Sequence, residues 1–143
     1  MEEIKESYAI RAEIEKLENK INVLKRKLTK SLIKDMYEDY IGQYVRIRDA
    51  DEPDNFYVFM HVRDILNSNI NPDCFTFQGQ GFSYSDGNYS YDIDGTFSEN
   101  LNKIIVKKEI EDENIRIDIL TKDEYKNEVR KMIEFIKRTY EDT

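Results

Sequence analysis

Few residues in this sequence have the type and spacing that catalysis requires. His61 is the only histidine, whereas a general base or a metal ligand usually acts together with a partner side chain. Cys74 is the only cysteine, and its nearest charge is the carboxylate of Asp73, which has the wrong sign to favour a thiolate. We therefore interpret His61 as a partly exposed strand residue and Cys74 as a small buried thiol.

Two clusters of carboxylates contain the oxygen ligands that Ca²⁺ prefers. The first lies within residues 49–54, and the second combines residues 86–88 with residues 92–95. Neither cluster has the full ligand order of an EF-hand, and the first contains Pro53 and no glycine. We interpret both clusters as acidic turns and predict neither a metal site nor a cofactor.

Common catalytic and phosphate-binding motifs are absent from the sequence. It contains no P-loop, dinucleotide-binding fingerprint, nucleophile elbow or zinc-ligand spacing. Gly79-Gln80-Gly81 is glycine-rich, but no helix or lysine follows it as phosphate binding would require, so we predict a bulge or a tight turn. These observations indicate a binding protein rather than an enzyme, with no catalytic residue to name.

The charge balance restricts the kind of partner. With 30 acidic and 22 basic side chains, the chain carries a formal net charge of −8 and is repelled by nucleic-acid phosphates and anionic lipids. We therefore expect a basic protein partner, plausibly one that binds nucleic acid, and no direct contact with nucleic acid or membrane. The N-terminus is acidic, unlike a signal peptide, and no apolar run approaches the roughly 20 residues of a membrane span. We expect a cytoplasmic protein.

The elements that position these residues follow from the apolar periodicity. Residues 3 to about 40 contain no Gly or Pro and are rich in Glu, Lys and Leu, which predicts one long helix. Between residues 43 and 120, apolar residues alternate in short β-branched and aromatic runs, as they do in strands. Residues 121–141 return to the helical period and begin with a capping box, Thr121 and Glu124.

This order of elements predicts an α+β fold. We expect a helical extension over residues 1–41. Over residues 42–143 we expect a small antiparallel β-sheet or barrel that is closed by a C-terminal amphipathic helix.

An apolar stripe along the first helix has steps that alternate between four and three residues, the period of a coiled-coil seam. The stripe consists of Ile10, Ile14, Leu17, Ile21, Leu24 and Leu28. We expect it to pair two copies of the chain in a homodimer, and the alternative is packing on the C-terminal helix of the same chain. After Leu28 the stripe shifts to Leu32 and Ile33, which indicates that the helix then docks on its own domain.

The charges along this helix favour an antiparallel pair. In a parallel pair, Glu13 would face Glu18 of the other copy, and Lys20 would face Lys25. An antiparallel pair instead brings the acidic first half of the helix beside the basic second half, although each exposed ion pair contributes only a few tenths of a kcal/mol.

The clearest local signal is a hairpin around Asp86-Gly87, a dipeptide that favours a two-residue type I′ turn. This turn predicts that Tyr84 pairs with Tyr89 and Phe82 with Tyr91, so that one face of the hairpin is aromatic. Tyrosine is common in binding surfaces, but the same rings can form a wall of the core. With the acidic surface, they give the predicted partner-binding set of Tyr84, Tyr89, Tyr91, Asp86, Asp92, Asp94, Asp51 and Asp54.

In overall style the chain resembles small accessory proteins of phages and prophages from AT-rich bacteria. The features are a composition rich in Lys, Asn, Ile, Tyr and Asp, the short coiled coil from Glu13 to Leu28, the stretch Tyr40-Ile-Gly-Gln-Tyr-Val45 before the β domain and the Thr121-Lys-Asp-Glu-Tyr start of the last helix. The resemblance implies an anti-defence factor, such as an anti-CRISPR inhibitor or a protein that sequesters a nucleotide signal. It assigns no functional residue.

We therefore expect a non-catalytic inhibitor that binds a bacterial nucleic-acid-handling or defence protein in the host cytoplasm. One alternative is a protein that sequesters a small nucleotide between tyrosine rings at a dimer interface, with Arg46, Arg48, Arg63 and Arg116 neutralising phosphates. Another alternative is a component of a virion or assembly.

Overall fold

The predicted α+β fold is confirmed. The computed structural model describes residues 2–49, 56–91, 98–106 and 115–141, and within these ranges the chain forms two α-helices and a six-stranded sheet. In chain order the elements are α1 (Glu2–Leu32), a π-helical turn (Ile33–Tyr37), a 3₁₀ turn (Glu38–Tyr40), β1 (Tyr44–Asp49), β2 (Tyr57–Asn67), β3 (Cys74–Ser85), β4 (Asn88–Ser90), β5 (Ser98–Val106), β6 (Ile115–Leu120) and α2 (Lys122–Glu141). Neither described helix is apolar enough over a sufficient length to cross a membrane.

All strand pairs of the sheet are antiparallel, in the order β4-β3-β2-β1-β6. The outer edge of β3 is shared, because β4 pairs with its last residues and β5 pairs with its first part, from Cys74 to Gly81. Among the described strands, β6 therefore lies at one edge and β4 and β5 at the other, and the sheet is open rather than a barrel.

β3 continues through the glycines at which the sequence suggested a break. A Cβ atom on Gly79 would overlap the carbonyl oxygen of His61, and one on Gly81 would overlap that of Phe59. Glycine is needed here because β3 approaches the backbone of β2 too closely for a side chain. The register shifts between Gly79 and Gly81 opposite β5, so the expected bulge is confirmed and the expected turn is wrong.

One face of the sheet carries the larger apolar cluster, which the end of α1 covers. Its buried sheet residues are Val45, Ile47, Val58, Met60, Val62, Ile65, Phe75, Phe77 and Ile115. Tyr37, from the π-helical turn, is also buried in it, and its ring centroid lies 5.0 Å from that of Phe75. Ile33 and Tyr40 pack against the same cluster, which confirms that the helix docks on its own domain.

The π-helical turn explains why the apolar stripe changes phase. A π turn contains one more residue per hydrogen-bonded ring than an α turn, so it rotates the residues that follow relative to the seam. Within the turn, Tyr37 is buried in the cluster while the neighbouring Met36 remains 61% exposed. The last helical turn ends at Tyr40, and Gly42, two residues further on, has a positive φ angle of 86°, which favours glycine.

The other face of the sheet is covered by α2. Tyr125 and Met132 of this helix are buried against Phe59, Phe82 and Leu120. The predicted capping box starts the helix: the Thr121 N–H donates to Glu124 Oε1 at 3.0 Å, and the Glu124 N–H donates to Thr121 Oγ1 at 3.1 Å. Hydrogen bonds to the Glu124 carboxylate, first from the Thr121 backbone N–H and then from the Thr121 side chain, hold the pKa of Glu124 below its usual range.

A set of polar contacts fixes α1 to the loop between β2 and β3. The Arg26 guanidinium donates to the carbonyl oxygens of Ser68 and Asn69, and Thr29 Oγ1 donates to the Pro72 carbonyl oxygen at 2.7 Å. Lys25 Nζ lies 3.3 Å from a carboxylate oxygen of Asp73. These contacts come from a short segment of α1 that contains Lys25, Arg26 and Thr29. They hold this part of the helix against the loop and so orient α1 relative to the sheet.

Candidate functional site

The site begins at the hairpin between β3 and β4. Asp86 and Gly87 have φ angles of 47° and 84°, the two positive values that the predicted type I′ turn requires. Tyr84 lies opposite Tyr89, as predicted, with the ring centroids 4.9 Å apart. Both rings are partly buried on the face of the sheet that α2 covers.

The register of the sheet extends this pair into a row across five strands. Tyr84 lies opposite Tyr57 of β2, Tyr57 lies opposite Arg48 of β1, and Arg48 lies opposite Arg116 of β6. Directly opposite residues of antiparallel strands share one face. We call Arg116, Arg48, Tyr57, Tyr84 and Tyr89 the tyrosine–arginine row.

The neighbouring row on the same face of the sheet contains both charged and aromatic residues. Here Asp118 lies opposite Arg46, Arg46 opposite Phe59, and Phe59 opposite Phe82. Arg46 Nη2 donates to Asp118 Oδ2 at 3.1 Å, and Arg116 Nε donates to Asp118 Oδ1 at 3.0 Å. Partial burial opposes ionisation of Asp118, but hydrogen bonds from the two guanidinium groups outweigh it and lower the pKa of this carboxyl.

Between the two rows and α2 lies a cleft of about 270 Å³. It is lined by Arg46, Tyr57, Phe59, Tyr84, Tyr89, Glu128 and Lys131. The two helical residues form an ion pair with each other, in which Lys131 Nζ lies 3.1 Å from Glu128 Oε1. The ring centroid of Phe135, also on α2, lies 5.3 Å from that of Tyr89. We call this space the tyrosine–arginine cleft.

Two guanidinium groups flank one ring of the cleft. The Cζ atoms of Arg46 and Arg48 lie 5.9 and 6.0 Å from the ring centroid of Tyr57, within the range of cation–π contacts. Arg46 Nε is buried and has no hydrogen-bond partner among the described residues. An unsatisfied buried donor costs free energy, and this nitrogen is too deeply buried for a ligand to reach it.

Tyr89 lies close to the negative charge of Glu128. Burial raises the pKa of its hydroxyl, and the charges of Glu128 and Tyr84 raise it further. The hydroxyl therefore stays protonated at neutral pH and is available as a hydrogen-bond donor to a ligand.

The predicted partner-binding residues fall in three places. Tyr84 and Tyr89 line the cleft, and Tyr91 packs against the apolar cluster beneath α2. Asp86 is exposed at the tip of the hairpin. The remaining predicted residues, Asp51, Asp54, Asp92 and Asp94, lie outside the described residues.

Sequence reasoning named Arg46, Arg48 and Arg116 only within the nucleotide alternative, and it missed Glu128 and Lys131. The usable signal was the alternation in β1, where Arg46 and Arg48 share one strand face. Of the four arginines, only Arg46 lines the cleft; Arg48 and Arg116 lie in the adjoining tyrosine–arginine row, and Arg63 is exposed elsewhere in β2.

The predicted coiled-coil seam is uncovered in the single chain. Its six residues range from 48% exposed at Ile14 to 63% exposed at Leu24. The alternative of packing on α2 is wrong, because α2 places its buried residues, Tyr125 and Met132, against the sheet.

His61 and Cys74, the two residues considered for catalysis, both make contacts that belong to the packing of the sheet. The ring of His61 stacks on that of Tyr44 at 4.3 Å, and its Nε2 lies 3.2 Å from the carbonyl oxygen of Gly42. Cys74 is buried at the start of β3, as expected. In the described parts of the chain, no group of three or more His, Cys, Asp and Glu residues is arranged to hold a metal ion. Most residues of the two carboxylate clusters lie outside those parts.

No protein-family model, curated protein or solved structure matches this chain.

Proposed function

We propose that the chain is a non-catalytic binding protein that acts as a homodimer in the cytoplasm and blocks a basic protein, of the kind that handles nucleic acid or takes part in bacterial defence. The uncovered seam of α1 carries this proposal. Six regularly spaced Leu and Ile side chains that are about half exposed are typical of a helix that pairs with another helix.

The size of the seam is sufficient for self-association. Burying the exposed half of one Leu or Ile contributes about 1 kcal/mol, so the twelve side chains of a dimer contribute about 12 kcal/mol. Association costs about 4–15 kcal/mol. Because the two quantities are of the same order, we expect a dimer that dissociates on dilution.

Charge complementarity favours a second copy in antiparallel orientation as the occupant of the seam. Residues 2–18 contain six Glu and three cations, whereas residues 19–34 contain six cations and no carboxylate. An antiparallel pair places each acidic segment beside a basic one, and a parallel pair places like charges together. The helices are separated by about the Debye length of 8 Å, so salt screens only part of the difference in electrostatic energy between the two orientations.

An antiparallel pair also uses every residue of the seam. When Ile14 faces Leu24 of the other copy, Leu17 faces Ile21, and Ile10 faces Leu28. All six residues of both copies are then buried in one continuous interface.

Light scattering at several protein concentrations tests the dimer. We expect a dimer for the natural chain and a monomer for Leu24→Lys. Val23→Lys is the matched control, because Val23 is also exposed, at 53%, but lies outside the seam. A natural chain that is monomeric at 100 micromolar, about the upper range for weak dimers, would refute the proposal. Larger oligomers would support the assembly component instead.

Disulfide trapping tests the orientation, in a Cys74→Ala background. We expect Ile14→Cys and Leu24→Cys chains to cross-link when they are mixed and to cross-link poorly when each is alone. Efficient cross-linking of each variant with itself would show a parallel pair and would contradict the charge argument.

The excess of negative charge is the basis for a basic partner, and it lies outside the helical extension. Residues 1–41 contain nine carboxylates and nine cations, whereas residues 42–143 contain 21 carboxylates and 13 cations. The β domain therefore attracts cationic surfaces and repels nucleic acid. An acidic surface of this kind can occupy a groove that otherwise holds a phosphate backbone.

Affinity purification from native cells, followed by measurement of the dissociation constant against salt, tests the partner. We expect a basic protein whose affinity falls steadily between about 50 and 500 mM salt. DNA added as a competitor should also release it. An affinity that does not depend on salt, or an acidic partner, would contradict the proposal.

A further inference from the structure

We infer that the tyrosine–arginine cleft binds a free nucleoside monophosphate, with the base against the tyrosine rings and the phosphate against the guanidinium groups. This inference concerns a site within one β domain, away from the seam of α1, and it goes beyond the proposed protein partner. Four observations support it: the local charge, the oriented guanidinium of Arg46, the exposed rings and the size of the space.

The cleft is cationic within an acidic chain. Arg46 and Arg116 share the single carboxylate of Asp118, and Lys131 is paired with Glu128. Arg48 is exposed, and its only contact within the described ranges is with the ring of Tyr57. Glu124 also lies beside Arg46, so four cations face three carboxylates around the row and one positive charge remains uncompensated. It offsets part of the charge of a phosphate monoester at pH 7.

The donors of the cleft suit a tetrahedral anion. Arg46 lines the cleft with a side chain that is 40% exposed, and its Nη2 is held by Asp118. The Asp118 carboxylate thus orients the guanidinium, whose exposed part can donate to a ligand. Arg48, next along the same strand face, supplies a second guanidinium, and two such groups bind a phosphate through charge-assisted hydrogen bonds.

The aromatic part of the cleft suits a planar base. Tyr57, Tyr84 and Tyr89 are each partly exposed, and the tilted rings follow one another at 6.5 and 4.9 Å between centroids. Their exposed ring faces can each stack on a base, an interaction that contributes about 1–3 kcal/mol. The Glu128 carboxylate, beside Tyr89, can accept a hydrogen bond from a base amino group or a ribose hydroxyl.

Size and overall charge limit the ligand to one nucleotide. The volume of about 270 Å³ is just below the range of about 300–1,000 Å³ of typical small-molecule sites. A longer strand would extend beyond the cationic row onto a chain with net charge −8, which repels its phosphates. Glu128, and Glu124 on the same helix, disfavour the additional charge of a triphosphate.

The test uses the intrinsic tyrosine fluorescence of the full chain and isothermal calorimetry, with AMP and GMP as probes. Adenosine, inorganic phosphate and a single-stranded ten-nucleotide oligomer, which is much longer than the cleft, are the comparison ligands. We expect AMP or GMP to bind with a dissociation constant of about 10 micromolar to 1 mM, and adenosine and phosphate to bind at least about tenfold more weakly.

Two variants and two controls locate the site. Arg48→Gln removes the guanidinium that has no ion pair among the described residues, and Tyr57→Leu removes the central ring. We expect each to weaken AMP binding about tenfold without a change in thermal stability greater than about 3 °C. Arg130→Gln, which changes an exposed arginine of α2, and Tyr8→Leu, which changes a tyrosine of α1 that is 64% exposed, should leave binding within about twofold.

Three results would overturn the inference: no binding of AMP or GMP at 10 mM, about ten times the weakest expected constant; binding that the controls weaken as much as the cleft variants; or tighter binding of the oligomer than of either mononucleotide. Leu24→Lys distinguishes this inference from the proposed function. That variant should lose the dimer and retain AMP binding, so failure of either idea can be read separately.

Discussion

Replacing Met132 with alanine tests how α2 sits on the sheet. Met132 is 1% exposed and packs in the cluster that contains Phe59, Phe82, Leu120 and Tyr125. Truncation of a buried Met to Ala typically costs about 2–5 kcal/mol, depending on how far the cavity collapses. The aromatic rings that surround it are held by paired strands and cannot move far to fill the space.

We therefore expect the free energy of unfolding to fall by about 3 kcal/mol, from the middle of that range. For a chain of this length, each kcal/mol lowers the melting temperature by about 3 °C, so a decrease of about 9 °C should follow. Urea unfolding followed by circular dichroism, at one protein concentration, measures the free energy, and an unchanged m-value would show that unfolding remains comparable between variants.

Ile133→Ala is the matched control for this prediction. Ile133 is the next residue of the same helix but is 40% exposed, and alanine has the higher helix propensity. We expect a loss below about 1 kcal/mol. If Ile133→Ala destabilised the protein as much as Met132→Ala, α2 would bury a different face and the position of the tyrosine–arginine cleft would be wrong.

Three further predictions concern local devices of the fold. Burial, together with the charge of Tyr44, raises the pKa of Tyr125 to about 12. Because the folded state favours the neutral phenol, the contribution of this group to stability should be constant below pH 10 and fall by up to about 2.7 kcal/mol between pH 10 and 12. Urea unfolding of Tyr125→Phe at several pH values should no longer show this fall. Thr121→Ala should cost about 1 kcal/mol by removing the helix cap, whereas Thr121→Ser should not, and thermal unfolding measures both. Gly81→Ala should destabilise the sheet by about 3 kcal/mol or more through overlap with the backbone of β2, and Gly87→Ala by only about 1 kcal/mol through its positive φ angle; equal losses in urea unfolding would contradict the close approach of the two strands.

The features that sequence predicted best depend on a few neighbouring residues. The capping box of Thr121 and Glu124 and the Asp86-Gly87 turn formed as expected. In each case the backbone conformation is determined within about four residues, by a side-chain cap or by a positive φ angle.

The tyrosine–arginine cleft was beyond such local reasoning because it depends on register between strands that are distant in sequence. Arg116 and Arg48 become neighbours of Tyr57 only when β6 and β2 pair with the two sides of β1. A shift of one residue in either pairing would move these side chains to the opposite face. Lys131 lines the cleft only because α2 is rotated so that this residue faces it. The packing of α2 on the sheet determines that rotation.

The glycines of β3 show a different limit. In sequence, Gly79 and Gly81 have the appearance of a break between two short strands, and only the pairing partner shows that they permit a close contact within a long one. Glycines at this spacing occur both in turns between strands and at close contacts within a strand, so only the tertiary structure distinguishes the two.

The anchoring of α1 by Arg26 has a mechanical consequence. The helix extends 24 residues on the N-terminal side of this residue, a length of about 36 Å at 1.5 Å per residue. A tilt of about 10° at the anchor would move the far end by about 6 Å over that length. The conformation of the short loop that holds Arg26 therefore controls where the N-terminal end of α1 lies. A change in a few loop hydrogen bonds would displace that end by more than the change in the loop itself.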